Sequence, residues 1–248
     1  MIEPDWPTPP GVEAASTERT GGVSAGPFAS LNLGDHVGDR PEHVQANRGA
    51  LVRTLGLPGE PCWLEQVHGM RVLDLDREAP GTADGAVSST PGQVCAILTA
   101  DCLPVLLAAR EGGRIGAVHA GWRGTAADIA GGAVARAGES GISPDSIQVE
   151  LGPSIGRCCY EVGEEVLDAF SGSGLLDRET LQEVAGTKRL DLRALNARLL
   201  ERAGVRRESI RQSDHCTRCG HREYFSYRWD PSDVGRQSSW VGWVNPIR

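Results

Sequence analysis

Apolar residues along the chain fall into short uninterrupted runs bounded by turn-forming residues, and into a few stretches with helical spacing. Residues 94 to 99 (VCAILT) and 103 to 109 (LPVLLAA) are of strand length and lack the alternation of a half-exposed strand, so they read as buried strands. Ala100, Asp101 and Cys102 separate the two runs, which puts Cys102 beside a break between strands. Pro104 has no backbone N–H to give a ladder and makes the second run an edge strand or a strand start. Arg114 to His119 (RIGAVH) reads as a further strand, followed by the glycine-bearing AGWRG and a helix expected from about Thr125, whose hydroxyl suits an N-cap. The order then repeats, with IQVEL as a strand, GPSIG as a turn, and Val162, Val166, Leu167 and Phe170 at helical spacing. Asp191 is placed to cap a third helix reaching Ala203, with Leu192, Leu195 and Leu199 on one stripe. Strands and helices alternate without the regular period of a doubly wound sheet, and several strands lie too close together for helical crossovers. The expected class is therefore α/β, a mixed layered sandwich in one domain.

Composition supports a packed domain. The chain has 248 residues, 40% hydrophobic and 23% charged, enough for a sizeable core. A formal net charge of −8 argues against a nucleic-acid groove or an anionic membrane surface, both of which need clustered basic charge, and favours a small ligand. No run approaches the roughly 20 apolar residues of a membrane helix. The opening MIEPDWPTPPG lacks the basic and apolar regions of a secretion signal, so a cytoplasmic location is expected. Seven cysteines, an odd number, then point to reduced thiols or metal ligands before disulfides. The only lysine is Lys188, which removes a phosphate-binding P-loop and leaves one poor candidate for Schiff-base chemistry.

Histidine is scarce, with six residues, so its placement is informative. His68 (LEQVHG), Cys102 (TADC) and His119 (AVHAGWRG) each stand at the end of an expected strand, where side chains can converge. Two imidazoles and a thiolate suit Zn²⁺ and would leave its fourth position open, as in catalytic sites. Their spacing matches no local metal motif, and a buried cysteine with two hydrogen-bonded histidines fits it as well. Cys216 and Cys219 form a CxxC within DHCTRCGH, half of a structural zinc site. No second CxxC or HxxxH pair follows, so these two are expected to carry no zinc, and adjacent Cys158 and Cys159 read as small core residues. Gly152, Pro153, Ser154, Ile155 and Gly156 match the GxSxG nucleophile elbow between a strand and a helix, but an oxyanion segment of the HGGG type is missing and a tight turn explains the motif. For anion binding the better segment is AGWRGT, with Arg123 beside a helix start, joined by Arg48 or Arg236.

Taken together, GGVSAGPFASLNLGDHVGD with the following ANR, LEQVHG, ADGAV, LTADCLPVLL, AVHAGWRGTA, GPSIGRCCYEVGEEV, FSYRWD and GRQ resemble the YfiH-type family, also called laccase-domain or polyphenol-oxidase-like proteins and regarded as purine nucleoside phosphorylases. The family pattern has arginine where Trp229 stands, and Cys219 is not a regular family position. The resemblance implies an α-β-β-α sandwich over residues 20–248 behind an N-terminal extension, residues 1–19. It also implies zinc on His68, Cys102 and His119, phosphorolysis of adenosine, inosine and methylthioadenosine, and adenosine deamination. On that reading Asp101 and Glu65 are the carboxylates available to move protons beside Cys102 and His119, while Arg48, Arg123 and Asn32 bind substrate or phosphate. Purine nucleosides and phosphate are the expected partners, with no nucleic acid, no membrane and no obligate protein. Two alternatives stay open: a Cys102–His119 amide hydrolase acting on a cell-wall precursor, and a copper-dependent polyphenol oxidase. Six histidines without an HxH pair speak against a multicopper cluster, although copper could occupy the same three ligands.

Overall fold

The structure is a computed structural model describing residues 8–231 and 234–243. Its strands are β1 (Val12–Ser16), β2 (Val72–Asp74), β3 (Gly85–Ser88), β4 (Val94–Thr99), β5 (Leu103–Ala109), β6 (Ile115–Ala120), β7 (Ile147–Leu151), β8 (Leu181–Val184), β9 (Thr187–Leu190), β10 (Ile210–Gln212) and β11 (Gln237–Trp243). Its helices are α1 (Pro41–Leu55), α2 (Trp122–Ala126), α3 (Ile129–Gly138), α4 (Glu164–Ala169) and α5 (Leu192–Arg202). A three-stranded antiparallel sheet in the order β1-β11-β4 faces a six-stranded mixed sheet in the order β10-β7-β5-β6-β3-β2, and β8-β9 form a separate hairpin. Among the described residues, no helix is long and apolar enough to cross a membrane.

The continuous apolar runs are explained by burial on both faces. Along β4, Val94, Ala96 and Leu98 pack with Val52, Leu55 and Leu57 of the α1 layer, while Cys95 and Ile97 point into the space between the sheets. Along β5, Leu106 and Ala108 fill that same space, and Val105 and Leu107 turn to the opposite side, where α3 and α5 cover the larger sheet. The layers are therefore helix, sheet, sheet, helices, the α-β-β-α sandwich expected. Pro104 occupies the second position of β5 and pairs with His119; β5 is an interior strand between β6 and β7, so the strand-start alternative applies.

Two boundaries differ from the sequence reading. The segment set apart as an extension supplies β1, whose register runs from Val12 opposite Trp243 to Ser16 opposite Ser239, with Val12, Ala14 and Ala15 buried. The folded unit thus includes residues before 20. The helix expected from Thr125 begins earlier, at Trp122, and breaks at Asp128, whose left-handed backbone (φ 57°) starts α3 and whose side chain caps it by accepting from the Gly131 amide. Thr125 is instead fully buried, its hydroxyl accepting a 2.9 Å bond from Asn196 Nδ2. Asp191 caps α5 as expected, accepting from the Ala194 amide.

Beneath the larger sheet lies a buried ionic group. Arg114 is 1% exposed; its guanidinium meets Asp74 at 2.9 Å, Asp76 at 2.7 Å and the Ser89 hydroxyl at 2.9 Å. Asp74 closes edge strand β2, so this arginine ties that edge to the start of β6.

Candidate metal centre and the cavity beside it

His68, Cys102 and His119 meet although they come from a loop, the residue before β5 and the body of β6. Antiparallel pairing of β5 with β6 sets Leu103 opposite Ala120 and Pro104 opposite His119, which carries Cys102 alongside His119. His68 reaches them from its loop in a left-handed conformation (φ 58°), and its Nε2 lies 3.8 Å from Cys102 Sγ. All three donor atoms lie within 4.8 Å of one another. The two imidazoles cross at 81° with centroids 4.7 Å apart.

Asp84 builds this arrangement. It is fully buried, and its carboxylate accepts from the amides of Val67 (3.2 Å), His68 (2.9 Å) and Gly69 (2.6 Å) and from His119 Nδ1 (2.8 Å). A carboxylate only accepts, so His119 carries its proton on Nδ1 and turns Nε2 toward Cys102. Burial works to raise the Asp84 carboxyl, but the bonds from His119 and the backbone amides outweigh it and hold it below its ordinary value. For Cys102, burial also pushes upward; the His119 charge and hydrogen bonds with both histidines bring the thiol down to about 6. His119 shows the reverse balance, with burial opposing and the Cys102 thiolate and Asp84 lifting it to about 9.

The geometry fits a zinc ion. Zn–S near 2.3 Å and Zn–N near 2.0–2.1 Å at a tetrahedral angle put sulfur and nitrogen roughly 3.5 Å apart, close to the observed separation. His119 has the carboxylate partner that zinc-ligating histidines commonly have. Gly121 leaves the room: a Cβ there would stand 3.1 Å from Cys102 Sγ and 3.2 Å from the His68 ring. His68 is exposed and Cys102 half-buried, so a fourth ligand can approach from solvent.

A cavity of about 370 Å³ opens over the trio, within the size range of small-molecule sites. Beside the three ligands its wall carries Trp122, Tyr160 and Tyr227, the arginines Arg123, Arg228 and Arg236, and His36. Burial, followed by the charge of Arg236, pulls the His36 imidazole below its usual value. Arg123 stacks on Trp122 at 4.1 Å and pairs with Glu165 at 3.2 Å.

The remaining sequence candidates separate. Asp101 lines the cavity with a left-handed backbone (φ 90°), and both of its carboxylate oxygens are taken, by the Thr217 hydroxyl at 2.6 Å and the Arg228 amide at 2.7 Å. Glu65 is not in the cavity wall; it is exposed and accepts from the Thr82 hydroxyl. Arg48 also stands outside, stacked on Trp63 at 4.4 Å, bonded to the Leu33 carbonyl and paired with Asp35. Asn32 is fully buried and acts on the backbone, its Oδ1 accepting from the amides of Gly34 and Arg236. Ser154 of the GxSxG motif is buried with no partner for its hydroxyl, which makes the motif a turn. Trp229, at the family's arginine position, stacks on His221 at 3.6 Å.

Asp84 and Arg228 were not singled out from sequence. The usable signal for Asp84 was an acid in an otherwise apolar ADGAV segment. Cys158 and Cys159 need correction too: Cys158 is exposed, Cys159 is half-buried, and both face Cys219, at 3.7 and 3.4 Å.

A family model described as multi-copper polyphenol oxidoreductase laccase matches residues 13–244. The purine nucleoside phosphorylase YfiH of Escherichia coli (strain K12) is 43% identical over 243 residues, covering 97% of this chain and 98% of that one. A purine nucleoside phosphorylase of Xylella fastidiosa (strain 9a5c) is 46% identical over 259 residues, covering 98% and 97%. A crystal structure of a Neisseria meningitidis protein superposes with a TM-score of 0.89 at 37% identity, covering 97% and 98%. With the model spanning nearly all of its elements and such relatives aligned along nearly their full length, the chain belongs to the YfiH family, the family that carries the laccase description.

Proposed function

We propose that the chain is a zinc-dependent purine nucleoside enzyme that phosphorolyses adenosine, inosine and methylthioadenosine and also deaminates adenosine. The observation that carries this reading is one cavity holding a His-Cys-His donor set, three arginines and three aromatic side chains. Relatives named purine nucleoside phosphorylase support it. When bound by His68, Cys102 and His119, zinc supplies a Lewis acid that polarises oxygen and activates water near neutral pH. The planar rings of Trp122, Tyr160 and Tyr227 offer faces for a purine. Arg123, Arg228 and Arg236 offer guanidinium forks that suit phosphate. In phosphorolysis a phosphate oxygen bonds to the ribose anomeric carbon as the glycosidic bond breaks, and the electron pair leaves with the base. With both oxygens engaged, Asp101 serves to position Cys102 and the Arg228 backbone. A reducing compartment such as the cytoplasm suits seven unpaired cysteines.

The test is a product assay on adenosine with and without phosphate, run beside metal analysis. Adenine release is expected only with phosphate, inosine without it, and both activities should vanish on zinc removal and return on its restoration. Full turnover by metal-free protein would favour a second reading, in which the aligned Asp84, His119 and Cys102 form a thiolate–imidazolium hydrolase.

Arg123→Ala should raise the phosphate requirement roughly tenfold to a hundredfold, the worth of a charge-assisted contact of about 1.5–3 kcal/mol. Inosine formation should fall much less, because water replaces phosphate there. Steady-state kinetics with phosphate and adenosine varied separately check this. Equal loss of both activities would assign Arg123 to the fold and move the phosphate pocket to Arg228 and Arg236.

A further inference from the structure

Outside the residues that line the cavity, four thiols converge from two turns that both bond Asp101. Cys158 and Cys159 follow the Gly156 turn after β7, and Cys216 and Cys219 bracket the turn after β10. Their sulfurs all lie within 4.8 Å of one another, with Cys158 and Cys159 at 3.7 and 3.4 Å from Cys219. These distances far exceed the roughly 2.05 Å of a disulfide, and all four are free thiols. They match a tetrahedron of thiolates instead: ligands near 2.3 Å from one zinc ion stand roughly 3.8 Å apart.

The surroundings are built for the same purpose. The Gly156 amide points at Cys216 Sγ at 3.2 Å, a backbone donor to sulfur. A Cβ on Gly156 would lie 3.2 Å from both Cys158 Sγ and Cys216 Cβ, so glycine is what lets the two turns close up. Arg218, inside the CxxC, brings positive charge beside Cys159 and Cys219, in a cluster that would carry excess negative charge once deprotonated around a dication. A β-bridge between Ser154 and Cys216 aligns the two segments. The second half missing from the CxxC is therefore present, supplied by adjacent cysteines from a distant segment.

We propose that Cys158, Cys159, Cys216 and Cys219 bind one zinc ion as a closed tetrathiolate site that locks together the two turns supporting Asp101. Four thiolates complete a tetrahedral shell and leave no position for substrate, so the site is structural. Each clamped segment holds Asp101 directly: Thr217, within the CxxC, donates to its Oδ1 at 2.6 Å, and the Ile155 amide donates to its carbonyl at 2.9 Å. The cluster thus braces the residue before Cys102 from outside the cavity.

The test strips the reduced full-length protein with a chelator and titrates it with Co²⁺ and then Zn²⁺, following stoichiometry and thiolate-to-Co²⁺ charge-transfer absorption. The intact chain should bind two equivalents. Cys102→Ala should lose one and keep the one with the stronger multi-thiolate absorption; Cys219→Ser should lose that one and keep the other. If Cys219→Ser does not fold, the count in Cys102→Ala decides: one remaining equivalent supports the cluster, none overturns it. A single equivalent in the intact chain that Cys102→Ala removes would overturn it, as would a Cys159–Cys219 disulfide in reduced preparations. A single equivalent that survives Cys102→Ala but not Cys219→Ser would uphold the cluster while removing zinc from the cavity.

Discussion

Replacing Asp84 with asparagine is expected to weaken zinc binding at His68, Cys102 and His119 by roughly 10–100-fold, the usual cost of losing the partner that orients a metal-bound histidine. The carboxylate accepts four bonds, from His119 Nδ1 and from three successive amides that hold the His68 loop. An amide of the same size keeps one accepting oxygen and turns two donors toward groups that are themselves donors. Both histidines then lose their orientation at once, and turnover should fall with metal affinity. Asp84→Ala should go further, because it removes the acceptor from all four donors and leaves a void at a fully buried position. Zinc titration of the asparagine variant checks this, with circular dichroism to confirm the fold. Unchanged affinity would mean that packing of β6 alone orients His119.

Arg114→Met should be strongly destabilising. It leaves buried Asp74 with only the exposed Arg77, 3.7 Å away, in place of its close buried partner, and breaking a buried pair from one side costs about 3–5 kcal/mol. At about 2–4 °C per kcal/mol for a chain of this size, the melting temperature should drop by roughly 6–20 °C. The same group gives a pH signature. Burial pushes the Asp76 carboxyl up, but bonds from Ser88, Ser89 and Thr90 and the Arg114 charge bring it down to about 2. A carboxyl depressed in the folded state stabilises above its unfolded value of about 3.9, and that contribution disappears as pH falls toward the folded value. The intact protein should therefore lose stability steeply between about pH 4 and 2, and the variant less steeply, since the charge coupling is already gone. Denaturant melts across that range measure both slopes; parallel slopes would show that Arg114 does not set the Asp76 value.

Much of this was legible in the sequence because burial on two faces leaves a plain mark. The runs at 94–99 and 103–109 are almost wholly apolar, and both strands are buried along their whole length, β4 although it lies at the edge of its sheet and β5 between two neighbours. His68, Cys102 and His119 stood out because strand ends converge and these residue types are scarce. What stayed hidden depends on long-range pairing. Cys158 and Cys159 looked like core because their partners stand some 60 positions away, beyond any motif of fixed spacing. Glu65 looked catalytic from its distance along the chain to His68, yet a bridge to Thr82 turns it outward. Thr125 resembled a cap because a helix break at Asp128 is invisible to a polarity pattern. β1 escaped notice because a five-residue strand beside a proline-rich segment gains its meaning only from β11.

That last pairing governs the order in which a ribosome can deliver a working molecule. β11 lies in the middle of its sheet, so β1 and β4, made much earlier, share no edge until residues 237–243 emerge. Until then the apolar face of β4, with Cys95 and Ile97, lacks Val241 and Trp243 as neighbours and stays available to nonspecific association. Arg236, directly before β11, enters the cavity wall in the same final step, held by Asn32 from the other end of the chain. A nascent chain can therefore bring His68, Cys102 and His119 together before Arg236 completes the cavity wall beside them.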